Sequence, residues 1–221
     1  RAVAFDIDGT LYPSRPMYLR SALHALPHLR FLRAFARVRR AIRDVYPIDD
    51  FLELQNALLA DEMHITPDRA SRLIRHWHDI DLDIVYRRLS PFEYVREFIQ
   101  SLRDSGVKTA VLSDFPISNK LMYLGLDGLW DCVYSSEDSG YLKPRSEPFQ
   151  TVIDCLDESP EHIVYIGNNY EYDIVGAKNV GLMTAYLSSK TVANRDNING
   201  KPTFEFRNYR QLAAKVFEFV G

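Results

Sequence analysis

Two aspartates, Asp6 and Asp8, flank a single isoleucine at the end of the apolar stretch Ala2–Ile7, and Gly9 and Thr10 follow at once. In extended chain, side chains two positions apart project to the same side, so this spacing aims both carboxylates at one pocket. Two unit negative charges about 4 Å apart repel by about 4 kcal/mol at an effective dielectric of 20, so the pair needs a cation beside it. Given that cation, one carboxylate can attack as a nucleophile and the other can carry a proton. Gly9 lets the backbone bend close to a ligand. A surface turn rich in Asp and Gly is the plainer reading, but it leaves the position behind a buried strand unexplained.

The elements that must place these residues alternate in kind. Short apolar runs predict strands at Ala2–Ile7, Val107–Leu112, Cys132–Tyr134, Ile163–Ile166, Leu182–Leu187 and Thr203–Phe206. Helical patterns fall at Phe92–Asp104, Ser118–Leu124, Glu147–Leu156, Tyr172–Val180 and Tyr209–Phe219. Strands alternating with helices predict a parallel, doubly wound, Rossmann-like α/β sheet with helices on both faces. In such sheets ligands bind outside the carboxyl ends of the strands. The residues expected there are Asp6 and Asp8, then Ser113 and Asp114, then Asn168, Asn169 and Asp173. Lys143, in "GYLKPRSEP", precedes a helix and adds a cation to that edge.

Residues 15 to about 90 break the rhythm and hold no convincing strand. Thr66 before Pro67, and Asp49 and Asp50 before "FLELQNALLA", read as helix starts. The segment from Leu11 to Arg43 has eight arginines and no acid. From Phe31 the periodicity is helical, with Phe31, Phe35, Val38, Ile42 and Val45 on one face and Arg30, Arg33, Arg37 and Arg40 opposite. Such a face is a solvated surface, a docking site for an anionic partner, or a membrane-surface contact. His76 and His78, two apart around Trp77, do not share a helix face, which argues against a zinc pair. Phe31, Phe35, Tyr46, Phe51 and Trp77 read as packing, and Tyr18 and Arg20 as candidates to line the pocket.

The chain has 221 residues, 46% of them hydrophobic and 26% charged, with a net charge of −3. That balance predicts no general attraction to nucleic acid, and no run of about 18 or more apolar residues predicts a membrane span. No secretory signal is evident. Cys132 and Cys155 are not spaced like a metal knuckle, and the expectation is two reduced thiols in a cytoplasmic protein.

"DIDGT", Ser113 behind a strand, Lys143-Pro144, and "GNNYEYD" followed by "IVGAKNVG" resemble the four ordered motifs of the haloacid dehalogenase superfamily. The resemblance covers residues 1–14 and about 91–187. It implies a catalytic core from 1–14 and 91–221 and a helical cap from 15–90 that closes over the site. It implies that Asp6 is the nucleophile and becomes an aspartyl-phosphate, with Asp8 as general acid and then general base. Thr10, Ser113 and Lys143 would hold the phosphate. Asp6, Asp8 and Asn168 would hold Mg²⁺, a hard cation suited to oxygen ligands, and Asp173 would hold a metal-bound water. A halide leaves without a proton, so Asp8 favours phosphoryl transfer over carbon–halogen cleavage. Tyr12-Pro13 is similar to some nucleotide-directed phosphatases of the superfamily. The expected function is a Mg²⁺-dependent phosphatase acting on a small phosphorylated metabolite. The rivals are a phosphomutase of the same fold and a weak or non-catalytic binding protein that uses the arginine-rich helix.

One position departs from the pattern. The superfamily's usual Gly-Asp is Gly167-Asn168 here, so a metal-binding oxygen is kept and its charge is lost. Asn168→Asp should therefore lower the Mg²⁺ concentration needed for activity. A Mg²⁺ titration of both proteins checks this, and an unchanged affinity would place Asn168 away from the metal.

Overall fold

The computed structural model describes residues 1–14, 28–78, 82–117, 119–188 and 201–220. Tyr18 and Arg20, expected at the pocket, and Ser118, expected to open a helix, lie outside the described residues. Among those described, β1 (Ala2–Phe5), β2 (Lys108–Ser113), β3 (Cys132–Ser135), β4 (Ile163–Gly167), β5 (Met183–Leu187) and β6 (Phe204–Phe206) form one sheet of order β3-β2-β1-β4-β5-β6. Every pairing is parallel; Ala4, for example, sits opposite Ala110 of β2 and Tyr165 of β4. The strand order reverses at β1, so the switch point lies between β1 and β4.

A period of two sorts the strand residues into two cores. Ala2, Ala4, Ala110, Leu112, Ile163 and Tyr165 face one side, where they meet Phe149, Val152 and Leu156 of α7 (Ser146–Leu156). Val3, Phe5, Val111, Val164 and Ile166 face the other. There they meet Phe98 and Leu102 of α5 (Val95–Asp104) and Leu212 and Val216 of α9 (Tyr209–Val220). Both faces of the central strands are dry, which is why they read as continuous apolar runs rather than alternating ones.

Between β1 and α5 the described chain is helical: α1 (Leu29–Ile42), α2 (Phe51–Met63), α3 (Pro67–His76) and α4 (Leu82–Tyr86). These helices have their own core, built on Phe31, Phe35, Val38, Ile42, Leu59, Met63, Ile74 and Trp77. The expected starts hold: the Asp50 side chain accepts the Glu53 N–H at 2.8 Å, and Thr66 caps α3 with Pro67 in its first turn. Val45 departs from the expected apolar face and is 42% exposed, because α1 stops at Ile42. Tyr46 is 48% exposed instead of packed, and lies under the Arg145 guanidinium at 3.5 Å. His76 lies against His28 while His78 meets Phe35, so the two imidazoles diverge.

Four further expectations need correction. Strand β1 ends at Phe5 rather than Ile7, because the N–H groups of Thr10 and Leu11 both return to the Ile7 carbonyl and close a turn. Asp6 and Asp8 therefore leave the strand instead of projecting from it in parallel. Helix α5 begins three residues later than expected, at Val95, since Tyr94 adopts a left-handed φ of 69°. Tyr172–Val180 is a π-helical turn over Tyr170–Val175 followed by the short α8 (Gly176–Asn179), with α6 (Lys120–Tyr123) the other short helix. Finally, Cys132 and Cys155 are joined in a disulfide and are not free thiols. Packing α7 on β2 and β3 brings their Cα atoms to 6.3 Å, a proximity invisible in a spacing of 23 residues. The cysteines thus no longer argue for a reducing compartment. No helix among the described residues is long and apolar enough to cross a membrane.

Closing a loop of 23 residues in the unfolded chain is worth about 3 kcal/mol in the chain-entropy account. Cys132→Ser should lower unfolding stability by about that amount. Thermal unfolding with and without reductant checks it: reductant should destabilise the parent and leave the variant unchanged.

Candidate active site

The site lies along the carboxyl ends of β1, β2 and β4. The Asp6 N–H donates to the Ile166 carbonyl at 2.9 Å, which carries the β1–β4 pairing one residue past the strand. Behind Asp6 lies Lys143, only 1% exposed. Its ammonium donates to Asp6 Oδ1 at 2.9 Å, Asp173 Oδ1 at 2.7 Å and the Tyr165 hydroxyl at 3.2 Å. Burial disfavours this ammonium, yet Asp173 and Asp6 outweigh burial and lift its pKa well above that of an ordinary lysine. Burial likewise pushes the Asp6 carboxyl up to about 7, against the pull of Lys143 and with the charges of Asp173 and Asp8 adding to the rise.

Asp8 has separate partners. The Lys120 ammonium donates to its Oδ1 at 3.1 Å and its Oδ2 at 2.9 Å. The Tyr12 hydroxyl donates to Oδ1, and the Ser113 hydroxyl to Oδ2 at 3.2 Å. Burial opposes ionisation here too, but Lys120 and the Tyr12 hydroxyl prevail and hold the Asp8 carboxyl below its usual range. Sequence reasoning missed Lys120, a lone lysine in a short helix, and noted Tyr12 only as part of a dipeptide. The signal that could have found Lys120 is its place in the helical run that follows Ser113, directly beside the apolar Leu121.

At the end of β4, Asp173 is committed on both oxygens. Its Oδ1 takes Lys143, and its Oδ2 accepts the N–H groups of Asn168 and Asn169 at 3.1 and 2.9 Å. This close approach needs Gly167, where a Cβ would lie 2.3 Å from the Asp173 Cβ. Gly9, at φ +96°, is required twice over, since a Cβ there would also lie 2.1 Å from the Asn168 side chain. The Thr10 hydroxyl is 2.8 Å from Asp6 Oδ2 and 3.4 Å from Asn168 Oδ1. It thus brings an acid oxygen and an amide oxygen around one point. The Asp6 carboxylate and the Asn168 amide oxygen, two hard donors, fit a hard dication such as Mg²⁺, with one formal charge fewer than two acids would give. No group of three or more His, Cys, Asp or Glu side chains gathers to hold a metal among the described residues.

The expected residues thus come together on one edge: Asp6, Asp8, Thr10, Ser113, Lys143, Asn168 and Asp173. In this arrangement Ser113 is bonded to Asp8 and to the Phe115 N–H, and Asp173 braces Lys143 and the Asn168 loop.

Two arginines, one in the last turn of α1 and one directly after it, also reach this edge. Arg39, 5% exposed, donates to the Asp114 carbonyl, to Glu137 and to Gln55 at 3.1 Å, and lies over the Phe115 ring at 4.5 Å. Arg43, one turn on, pairs with Asp114 Oδ2 at 2.7 Å, donates to the Lys143 carbonyl, and stacks on Tyr172 at 3.9 Å. Burial opposes ionisation of Asp114, but Lys143 and Arg43 outweigh it and hold its carboxyl low. Arg33, Arg37 and Arg40 stay exposed, with Arg37 paired to Glu62 at 2.6 Å.

Comparison with known proteins agrees with this geometry. The chain is 28% identical over 190 residues to a pyrophosphatase PpaX of Bacillus cereus, covering 84% of this chain and 82% of that protein. The solved 2-haloacid dehalogenase of Pseudomonas syringae pv. Tomato shares the fold at a TM-score of 0.72 and 19% identity, covering 99% of this chain and 98% of that one. A HAD phosphatase of Thermococcus onnurineus superposes at a TM-score of 0.60 and 21% identity, with the same coverage of 99% and 98%. The haloacid dehalogenase-like hydrolase family matches residues 1–181. With the acid pair, the lysine and the Asn168 loop at one switch point, and with a family match over most of its length, this chain belongs to the haloacid dehalogenase-like hydrolases.

Proposed function

We propose that the protein is a Mg²⁺-dependent phosphatase acting on a small phosphorylated molecule, with a core of residues 1–14 and 91–221 and a helical cap of residues 15–90. The observation that supports it most is the division of labour between the two aspartates. Asp6 sits on Lys143 at 2.9 Å, and Asp8 sits on hydroxyls and a different lysine. One carboxylate is backed for attack and the other is set apart for proton transfer.

In this reading Asp8, ionised while Lys120 holds it, first takes up a proton as the negatively charged substrate arrives; an Asp6 oxygen then attacks phosphorus as the bond to the leaving oxygen breaks, and that oxygen takes the proton of Asp8. A water then attacks the aspartyl-phosphate. Its proton goes to Asp8, the P–O bond to Asp6 breaks, and inorganic phosphate leaves. Lys143 offsets the charge on Asp6 throughout, and Thr10 and Ser113 fix the two acids. A bound Mg²⁺, held by Asp6, Asp8 and Asn168, would neutralise phosphoryl oxygens. The pyrophosphatase name of the relatives suits a phosphoryl leaving group as well as an alcohol.

The cap would exclude bulk water and large substrates. Arg39 and Arg43 support that role because they tie α1 to the loop behind Ser113 and to the backbone of Lys143. Neither belongs to the expected basic face of Arg30, Arg33, Arg37 and Arg40, which stays exposed.

Two experiments test this. Asp6→Asn should cut phosphate release from a panel of phosphate esters and pyrophosphate by at least about a thousandfold, as expected for removal of a covalent nucleophile. A rearranged sugar phosphate in place of free phosphate would instead identify a mutase. Arg43→Ala should lower unfolding stability by about 2–3 kcal/mol, as one side of a largely buried pair is left alone. It should also raise KM more than it lowers kcat, measured in steady-state kinetics with hydrogen exchange of the 43–50 segment.

A further inference from the structure

We propose that Lys120 is a positioning residue that serves as the resident counter-charge of Asp8 and sets how strongly the site draws a divalent cation. The inference deepens the phosphatase reading and rests on it only for the identity of that cation.

Lys120 stands outside the four motifs, on the short helix α6. It is 2% exposed, and its ammonium reaches both Asp8 oxygens, at 2.9 and 3.1 Å. The Tyr86 ring of α4 and the Phe115 ring flank it at 5.1 and 5.8 Å. A buried ammonium is costly unless it is paired, and the aromatic faces keep water from replacing the pair. A lysine that serves only to pack would bend its amine to solvent; this one brings its amine inward to a carboxylate.

The pairing pattern around it is specific. Lys143 is shared by Asp6 and Asp173, and Arg43 by Asp114 and the Lys143 carbonyl. Lys120 makes its ion pair with Asp8. Among the described residues, five carboxylates (Asp6, Asp8, Asp114, Glu137 and Asp173) face four cations (Arg39, Arg43, Lys120 and Lys143) on this edge, and Lys120 is the cation that answers the Asp6–Asp8 repulsion from the Asp8 side. Asn168 removes a further negative charge from the metal-binding edge. Both features act in one direction: the acid pair keeps its shape with less help from a metal, and the metal is held less tightly. Loss of the Lys120 charge leaves Asp8 with hydroxyl partners alone and returns a full negative charge to the site. Placed within several ångströms of a dication, that charge strengthens its binding on the order of tenfold.

Isothermal titration of Mg²⁺ into the parent protein, Lys120→Met, Lys120→Arg and Asn168→Asp tests this without reference to turnover. Lys120→Met should bind Mg²⁺ about tenfold more tightly, melt at a lower temperature without metal, and recover most of that loss in Mg²⁺. Lys120→Arg should match the parent in all three. Asn168→Asp should tighten binding independently, and its combination with Lys120→Met should tighten it further. Lys120→Gln takes the place of Lys120→Met if the latter fails to fold. Equal or weaker Mg²⁺ binding by the charge-removed variant overturns the proposal, as does the absence of Mg²⁺ binding in every variant. Tightened binding in a protein that releases phosphate from no substrate upholds the role of Lys120 and overturns the phosphatase reading alone.

Discussion

The rest of the site depends on a buried ammonium held between two carboxylates. Lys143 takes Asp6 on one side and Asp173 on the other, almost wholly shielded from water. Removing a charge from water costs several kcal/mol unless its partners are well placed, so this contact fixes three separate pieces of chain relative to one another. Asp6 follows β1, Lys143 precedes α7, and Asp173 follows β4. Asp173 spends its second oxygen on the amides of Asn168 and Asn169, so the lysine's position also sets that of the Asn168 loop. The glycines at 9 and 167 follow from the same crowding.

The helical segment is bound into this electrostatic arrangement. Its apolar core is separate from the two cores of the sheet, and Leu142 is the residue of the 136–145 loop that joins it. What links it most firmly to the sheet edge is polar: Arg39 and Arg43 on Asp114, Glu137 and the Lys143 backbone, and the Ile48 N–H on the Gly140 carbonyl at 3.0 Å. A polar junction of this kind can come apart and re-form at lower cost than an apolar one, because water can satisfy each of its groups.

The fold was legible because the strands are short apolar runs dry on both faces, and their limits differ from expectation by one or two residues. The seven candidate side chains were legible because carboxyl strand ends are where such sheets bind ligands, and Ser113, Lys143 and Asn168 all sit there. The failures came from interactions between distant residues. The turn on Ile7 sends Asp6 and Asp8 to different lysines, although their spacing alone suggests a shared direction. Lys120 lies 112 residues from Asp8, and its place in the helical run behind Ser113 marks an inward position but names no partner. Arg39 sits among arginines that face solvent, and only the loop behind Ser113 makes it internal. The Cys132–Cys155 bond is of the same kind, since a strand and a helix far apart in pattern become neighbours only when α7 packs on the sheet.

That bond has a bearing on Lys143. Cys132 and Cys155 lie on either side of Lys143 in the chain, so the lysine rides on a covalently closed ring. The ring contains β3, the 136–145 loop that receives Arg39, and most of α7. Its two ends cannot drift apart in a local opening of the edge strand, so β3 and α7 stay joined and the span that carries Lys143 cannot extend beyond the ring. An edge strand and a helix on one face of the sheet thus answer to one covalent constraint, with the lysine between them.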